Sequence, residues 1–215
     1  MRRTSFVALV LGLVVLFATP AAARDISNGS QTMVQMWGEG GSYDEVTGTS
    51  VYVSIYATDY GDSVEIGYYR FSSTPTTCDD GTPGWLNEEL WAYGPGTLET
   101  DRTYTSGTAA GKLTGGMGSW TDCGYGEDVV PQNGGPGGDL TVDVVAQFTS
   151  TSPLIRQRNA NSFKIPGETN SHSSESSTYR DGEIHLTVDQ DEPFHIDFGQ
   201  LGKATWRYHF NSNNP

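Results

Sequence analysis

Apolar residues in this chain recur at every second position, and outside the first two dozen residues no stretch repeats them with the 3.6-residue period of an amphipathic helix. Side chains that alternate in this way point to opposite faces of an extended strand, so the pattern commits the chain to β-sheet. The clearest unit runs from Val51 to Phe71. There Val51, Val53, Ile55 and Ala57 alternate with Tyr52, Ser54, Tyr56 and Thr58 before the turn Asp59-Tyr60-Gly61-Asp62. Pairing Thr58 with Ser63 across that turn sets Ile55 opposite Ile66 and Val53 opposite Tyr68. A second hairpin, Glu183 to Phe198, alternates Ile184, Leu186 and Val188 with His185 and Thr187, then Phe194, Ile196 and Phe198 with His195 and Asp197. Its apolar stripes coincide if Val188 pairs with Phe194.

Further short strands are expected at 32–37, 85–93, 98–104, 107–113, 140–148, 155–163, 176–180 and 204–210, divided by Gly, Pro, Asn and Asp. The polar stretch Asn170 to Glu175 reads as a loop and Asn211 to Pro215 as a frayed tail. Strands at this spacing predict an all-β fold: an antiparallel β-sandwich, jelly-roll or immunoglobulin-like, of about 10–12 short strands. A closed β-barrel is the alternative.

Residues 1–23 have the form of a signal peptide, with Arg2 and Arg3, the apolar stretch Phe6 to Ala18, and Ala21-Ala22-Ala23 at the cleavage point. The remainder, 24–215, is expected to be a single β domain, with an internal break possible at 132–138, QNGGPGG. The apolar stretch falls short of the roughly 20 residues that a spanning helix needs, so no membrane insertion is expected and the chain reads as secreted. In an exported chain the two cysteines, Cys78 and Cys123, are expected to form one disulfide.

Asp and Glu number 26 against 12 Lys and Arg, a net charge of −14. No basic run interrupts this acidity, which argues against a nucleic-acid partner. Four groupings are candidates for chemistry. Tyr52, Tyr56 and Tyr69 share the face of the first hairpin opposite its apolar residues, and Trp85 and Trp91 follow nearby; flat, rigid rings of this kind suit a sugar or polypeptide ligand. His185, His195 and Asp197 lie on one face of the second hairpin and are suitable ligand types for zinc. Glu88, flanked by tryptophans, is a candidate acid if Glu65, Glu99 or Glu127 supplies a second carboxylate. Asp79-Asp80-Gly81 and the loop with Asp189, Asp191 and Glu192 are candidate calcium loops.

No GxSxG elbow, HExxH helix or phosphate loop occurs. The reading is therefore a secreted, non-enzymatic binding module for a glycan or protein, with no catalytic residues and no required cofactor. The alternatives are a carbohydrate-active or metal-assisted hydrolase and a structural cell-surface protein.

Overall fold

The computed structural model describes residues 28–124, 139–165, 169–189 and 193–212. The signal-like segment, the 132–138 stretch, Glu127, Asp191 and Glu192 lie outside the described residues. Nine strands follow one another: β1 (Asn28–Tyr43), β2 (Ser50–Asp59), β3 (Val64–Thr77), β4 (Pro83–Thr100), β5 (Ser106–Asp122), β6 (Asp139–Ser150), β7 (Ile155–Ile165), β8 (Thr169–Val188) and β9 (Phe194–Ser212). They form one sheet in the order β6-β5-β4-β3-β2-β1-β9-β8-β7, and β6 also pairs with β8. That extra pairing closes the sheet into a ring. β8 holds β6 through Gly182–Val188 and β7 through Thr169–Tyr179, so β7 prolongs the line of β6 past the end of the ring.

The expected sandwich is replaced by its alternative, a ring-like closed sheet. Period-two alternation is common to both architectures; only the β1–β9 and β6–β8 ladders distinguish them. The strands are also fewer and longer than expected, because 85–93 and the start of 98–104 lie within β4, the rest of 98–104 being a turn, while 176–180 and 184–188 are both parts of β8. The polar 170–175 stretch, expected as a loop, is strand: it pairs with β7 on one side and β9 on the other, and those ladders need no apolar face.

Alternation places the apolar set inside the ring. Met36, Ile66, Leu113, Phe148, Leu186 and Ile196 are fully buried there and belong to one core that draws on strands from both sides of the 132–138 stretch. The outward positions of the same strands carry Glu39, Glu65, Glu89, Lys112 and Asp143. Among the described residues the interior is therefore packed with side chains.

Both expected hairpin registers shift by two residues. Ile55 faces Tyr68 and Val53 faces Arg70, because the first turn keeps Tyr60 to Ser63 out of the ladder, with the Tyr60 amide donating to the Ser63 carbonyl. In the second hairpin Leu186, not Val188, faces Phe194. A shift of two preserves which face each side chain occupies, so the cores stay as expected except at Phe198, which the irregularity between Gly182 and Ile184 turns to the outward side and leaves 40% exposed. Asp59 accepts from the Gly61 amide at 2.7 Å, and Gly61 takes φ +95°, a conformation that side chains disfavour. Cys78 and Cys123 form the expected disulfide, tying the β3–β4 turn to the end of β5. Gly84 is required beside it, since a Cβ there would lie 2.4 Å from Cys78 Sγ.

Candidate functional site

Beyond the ring, β7, the first half of β8, the second half of β9 and the first residues of β1 continue as a four-stranded apron. Its registers define a grid. Arg156 faces Thr178, which faces Lys203; Arg158 faces Ser176, which faces Thr205; Ala160 faces Ser174, which faces Arg207; and Ser162 faces His172, which faces His209. Direct cross-strand neighbours share a face. This face continues the barrel interior, because Lys203 lies two residues from the buried Leu201 and opposite Val34, itself two residues from the buried Met36.

Arg156, Arg158, Lys203 and Arg207 thus gather on one surface with His172 and His209, and all six are exposed. Apart from Arg180, the other positions of that face whose side chains are described are Ser, Thr, Asn, Ala or Val, with no Asp or Glu. At its far end Asn28, Ser30, His172, Ser174, Arg207 and His209 line a shallow depression of about 480 Å³. Ser162 Oγ lies 2.7 Å from His172 Nδ1, and His209 Nδ1 contacts Asn28 Oδ1. Arg180 is engaged elsewhere. Its Nε donates to the Thr103 carbonyl and its terminal nitrogen to that of Ser152, each at 2.8 Å, bracing the end of the barrel where the apron begins.

The sequence offered a weak sign of this surface. Arg156 and Arg158 alternate within one strand, but Lys203 and Arg207 lie some 45 residues downstream in sequence and join them only through the β7–β8–β9 registers. The patch is therefore compatible with a sequence that has no basic run.

The aromatic candidates do lie on the outward wall. Tyr69 faces Trp91, and Tyr52 meets Tyr69 edge-on with centroids 6.2 Å apart. Several rings lie over glycines: a Cβ at Gly67 would fall 2.1 Å from the Tyr56 ring, and one at Gly116 would fall 2.7 Å from the Trp91 ring. This packing accounts for the placement of Tyr56 and Trp91 without a ligand. Trp85 stands at the disulfide end, opposite Asp122.

Tyr52 donates to Glu39 at 2.7 Å; partial burial first, and that hydrogen bond second, raise its pKa above the ordinary 10.0. A phenol that stays protonated in the folded state contributes stability below that pH and loses it as the pH rises further. Tyr52→Phe is therefore expected to flatten part of the fall in melting temperature between about pH 9 and 11. An unchanged alkaline slope would show that the Tyr52–Glu39 contact contributes nothing there.

His185 faces His195, with ring centroids 4.7 Å apart, where a Val188–Phe194 pairing would set it opposite Asp197. His195 Nε2 lies 3.1 Å from Asp197 and 3.8 Å from Glu183, but the Asp197 side chain is 93% exposed. Among the described residues, no group of three or more His, Cys, Asp or Glu side chains could hold a metal ion. Glu88 projects inward toward Ser72, whose hydroxyl lies 3.5 Å away. Glu65 and Glu99 alternate with inward Ile66 and Leu98 and so stand across the wall from Glu88; no acid pair forms with either. Asp80 is occupied by its own turn, accepting from the Thr82 amide and hydroxyl. Asp189 likewise accepts from the Asp143 amide.

No protein-family profile matches the chain, and no curated protein matches it. Among solved structures it is matched to Neisserial surface protein A, at 6% identity and TM-score 0.29, covering 86% of this chain and 99% of that one. It is also matched to the translocator domain of the autotransporter NalP from Neisseria meningitidis, at 10% identity and TM-score 0.25, covering 94% and 95%. At these TM-scores neither likeness carries a role to this chain.

The expected secreted binding module, its extracellular location and its lack of membrane insertion are withdrawn, because the sheet closes into a ring and closed sheets of strands can cross a bilayer. Their physical basis was also too narrow. The lack of a long apolar run excludes only a spanning helix, and strands cross bilayers with alternating residues that leave no such run. Among the described residues no helix is long and apolar enough to cross a membrane, which does not bear on strands.

Proposed function

We propose that this chain recognises an anionic partner on the inner face of the apron. One observation carries the reading: in a chain with more than twice as many acidic as basic residues, four cations and two imidazoles share a face that bears no carboxylate among the described residues. Arg156 and Arg158 lie two residues apart on β7 with Lys203 and Arg207 two strands away on the same face, and a bound anion relieves the repulsion among these like charges. The interleaved Ser and Thr hydroxyls add neutral donors suited to carboxylate, sulfate or phosphate oxygens. Meanwhile the acidic remainder repels an anion from the barrel wall, so approach is steered to the apron.

Sulfated dextran immobilised on a resin supplies the probe. The combined Arg156→Glu and Arg158→Glu variant is expected to bind it about tenfold or more weakly, a loss of at least 1.4 kcal/mol. The melting temperature should hardly move, because both side chains are exposed. Lys112→Glu, on the outward wall away from the apron, should leave retention unchanged. Equal retention of the double variant and the wild type would overturn the proposal.

A further inference from the structure

We infer that the anionic partner is an extended acidic polypeptide segment that adds to the open edge of β7 as a further strand; this rests on the reading of the apron as the anion-recognising surface. Among the described residues β7 pairs with β8 alone, so one side of Ile155–Ile165 presents backbone donors and acceptors with no ladder partner. Such an edge is a template for strand addition. The cations match that template in spacing. Arg156 and Arg158 are two residues apart on one face, about 6.5–7 Å along the strand. An added strand repeats its own same-face side chains at the same interval, so acidic residues at alternate positions come opposite both guanidinium groups.

Lys203 stands two strands further in, about 10 Å from the edge residues, and extends the positive field behind them. The same charges close the edge to self-association. An antiparallel pairing of β7 with a second β7 would double the cations along that edge, with Arg156 against Arg158 in the register centred on Gln157, and like charges brought together are disfavoured. Among the described residues the apron has a second edge without a partner at Asn28–Met33 of β1, which pairs there only with β9. Its sequence, NGSQTM, holds no cation, so an acidic strand selects β7.

The probe is a synthetic peptide of alternating Glu and Thr, about ten residues long to match a typical strand. It is compared with the same peptide N-methylated at alternate residues, which keeps the charge and removes backbone donors. On the full protein, the unmodified peptide is expected to slow amide hydrogen exchange along β7 and to bind about tenfold or more tightly than its N-methylated form. The double variant with Arg156→Glu and Arg158→Glu should lose both effects. Equal binding of the two peptides, or protection outside β7, overturns strand addition. If sulfated dextran still binds while the peptide does not, the inference fails and anion recognition stands; if neither binds, both fail. Concentration-dependent protection of β7 without peptide would assign the edge to a second copy and likewise overturn the inference.

Discussion

Phe148→Ala is expected to lower the free energy of unfolding by about 3–5 kcal/mol, the range for truncating a large buried aromatic side chain. Phe148 is 1% exposed on the inner face of β6, with Ile184 opposite on β8 and Gly107 opposite on β5. A Cβ at Gly182 would stand 2.7 Å from its Cζ, so the ring fills room that a glycine leaves open. Neither glycine has a side chain to fill the vacated volume, which places the expected loss toward the upper end of that range. The neighbouring outward residue gives the contrast. Gln147→Ala should change stability by no more than about 0.5 kcal/mol, because its side chain is exposed. Urea unfolding of the two variants tests the packed interior directly. A Phe148→Ala loss below about 1 kcal/mol would mean that the barrel holds space rather than a core.

Removing the disulfide is the second large effect. Cys78 and Cys123 are separated by 45 positions, and closing a loop of that size stabilises by about 4 kcal/mol in the loop-entropy treatment. The term acts on the unfolded chain. In the folded state the β3–β4 and β4–β5 ladders already hold the two ends of this loop, so the native sheet should survive without the bond. The double variant Cys78→Ser and Cys123→Ser is therefore expected to keep its strand content while its urea midpoint falls. A reductant should shift the wild type to the same midpoint and leave the variant unmoved. A wild-type midpoint insensitive to full reduction would show that the bond contributes nothing measurable.

These two effects also separate what local pattern decides from what it leaves open. Alternation in Val51 to Ala57 and in Ile184 to Val188 assigned the inward side chains correctly even though both hairpins pair two residues away from the expected register. Face depends only on whether a position is odd or even, and a two-residue shift leaves that unchanged. The turns were harder, because keeping Tyr60 to Ser63 out of the ladder or adding the irregularity between Gly182 and Ile184 costs little locally and carries no strong sequence mark. The histidine pairing also depends on register: His185 and His195 come together across the β8–β9 ladder, while among the described residues no group of three or more His, Cys, Asp or Glu side chains could hold a metal ion.

Sequence by itself determined that this chain is built of antiparallel strands, which residues of the two hairpins other than Phe198 face the core, and that its two cysteines pair. Those properties follow from period-two alternation and from a single available thiol partner, both of which act locally or by composition. Tertiary structure alone decided that the sheet closes through β1–β9 and β6–β8, and that Arg156, Arg158, Lys203 and Arg207 share one face. The reason is that sheet closure and cross-strand charge proximity depend on pairings between residues far apart in the chain, which alternation within any one strand does not encode.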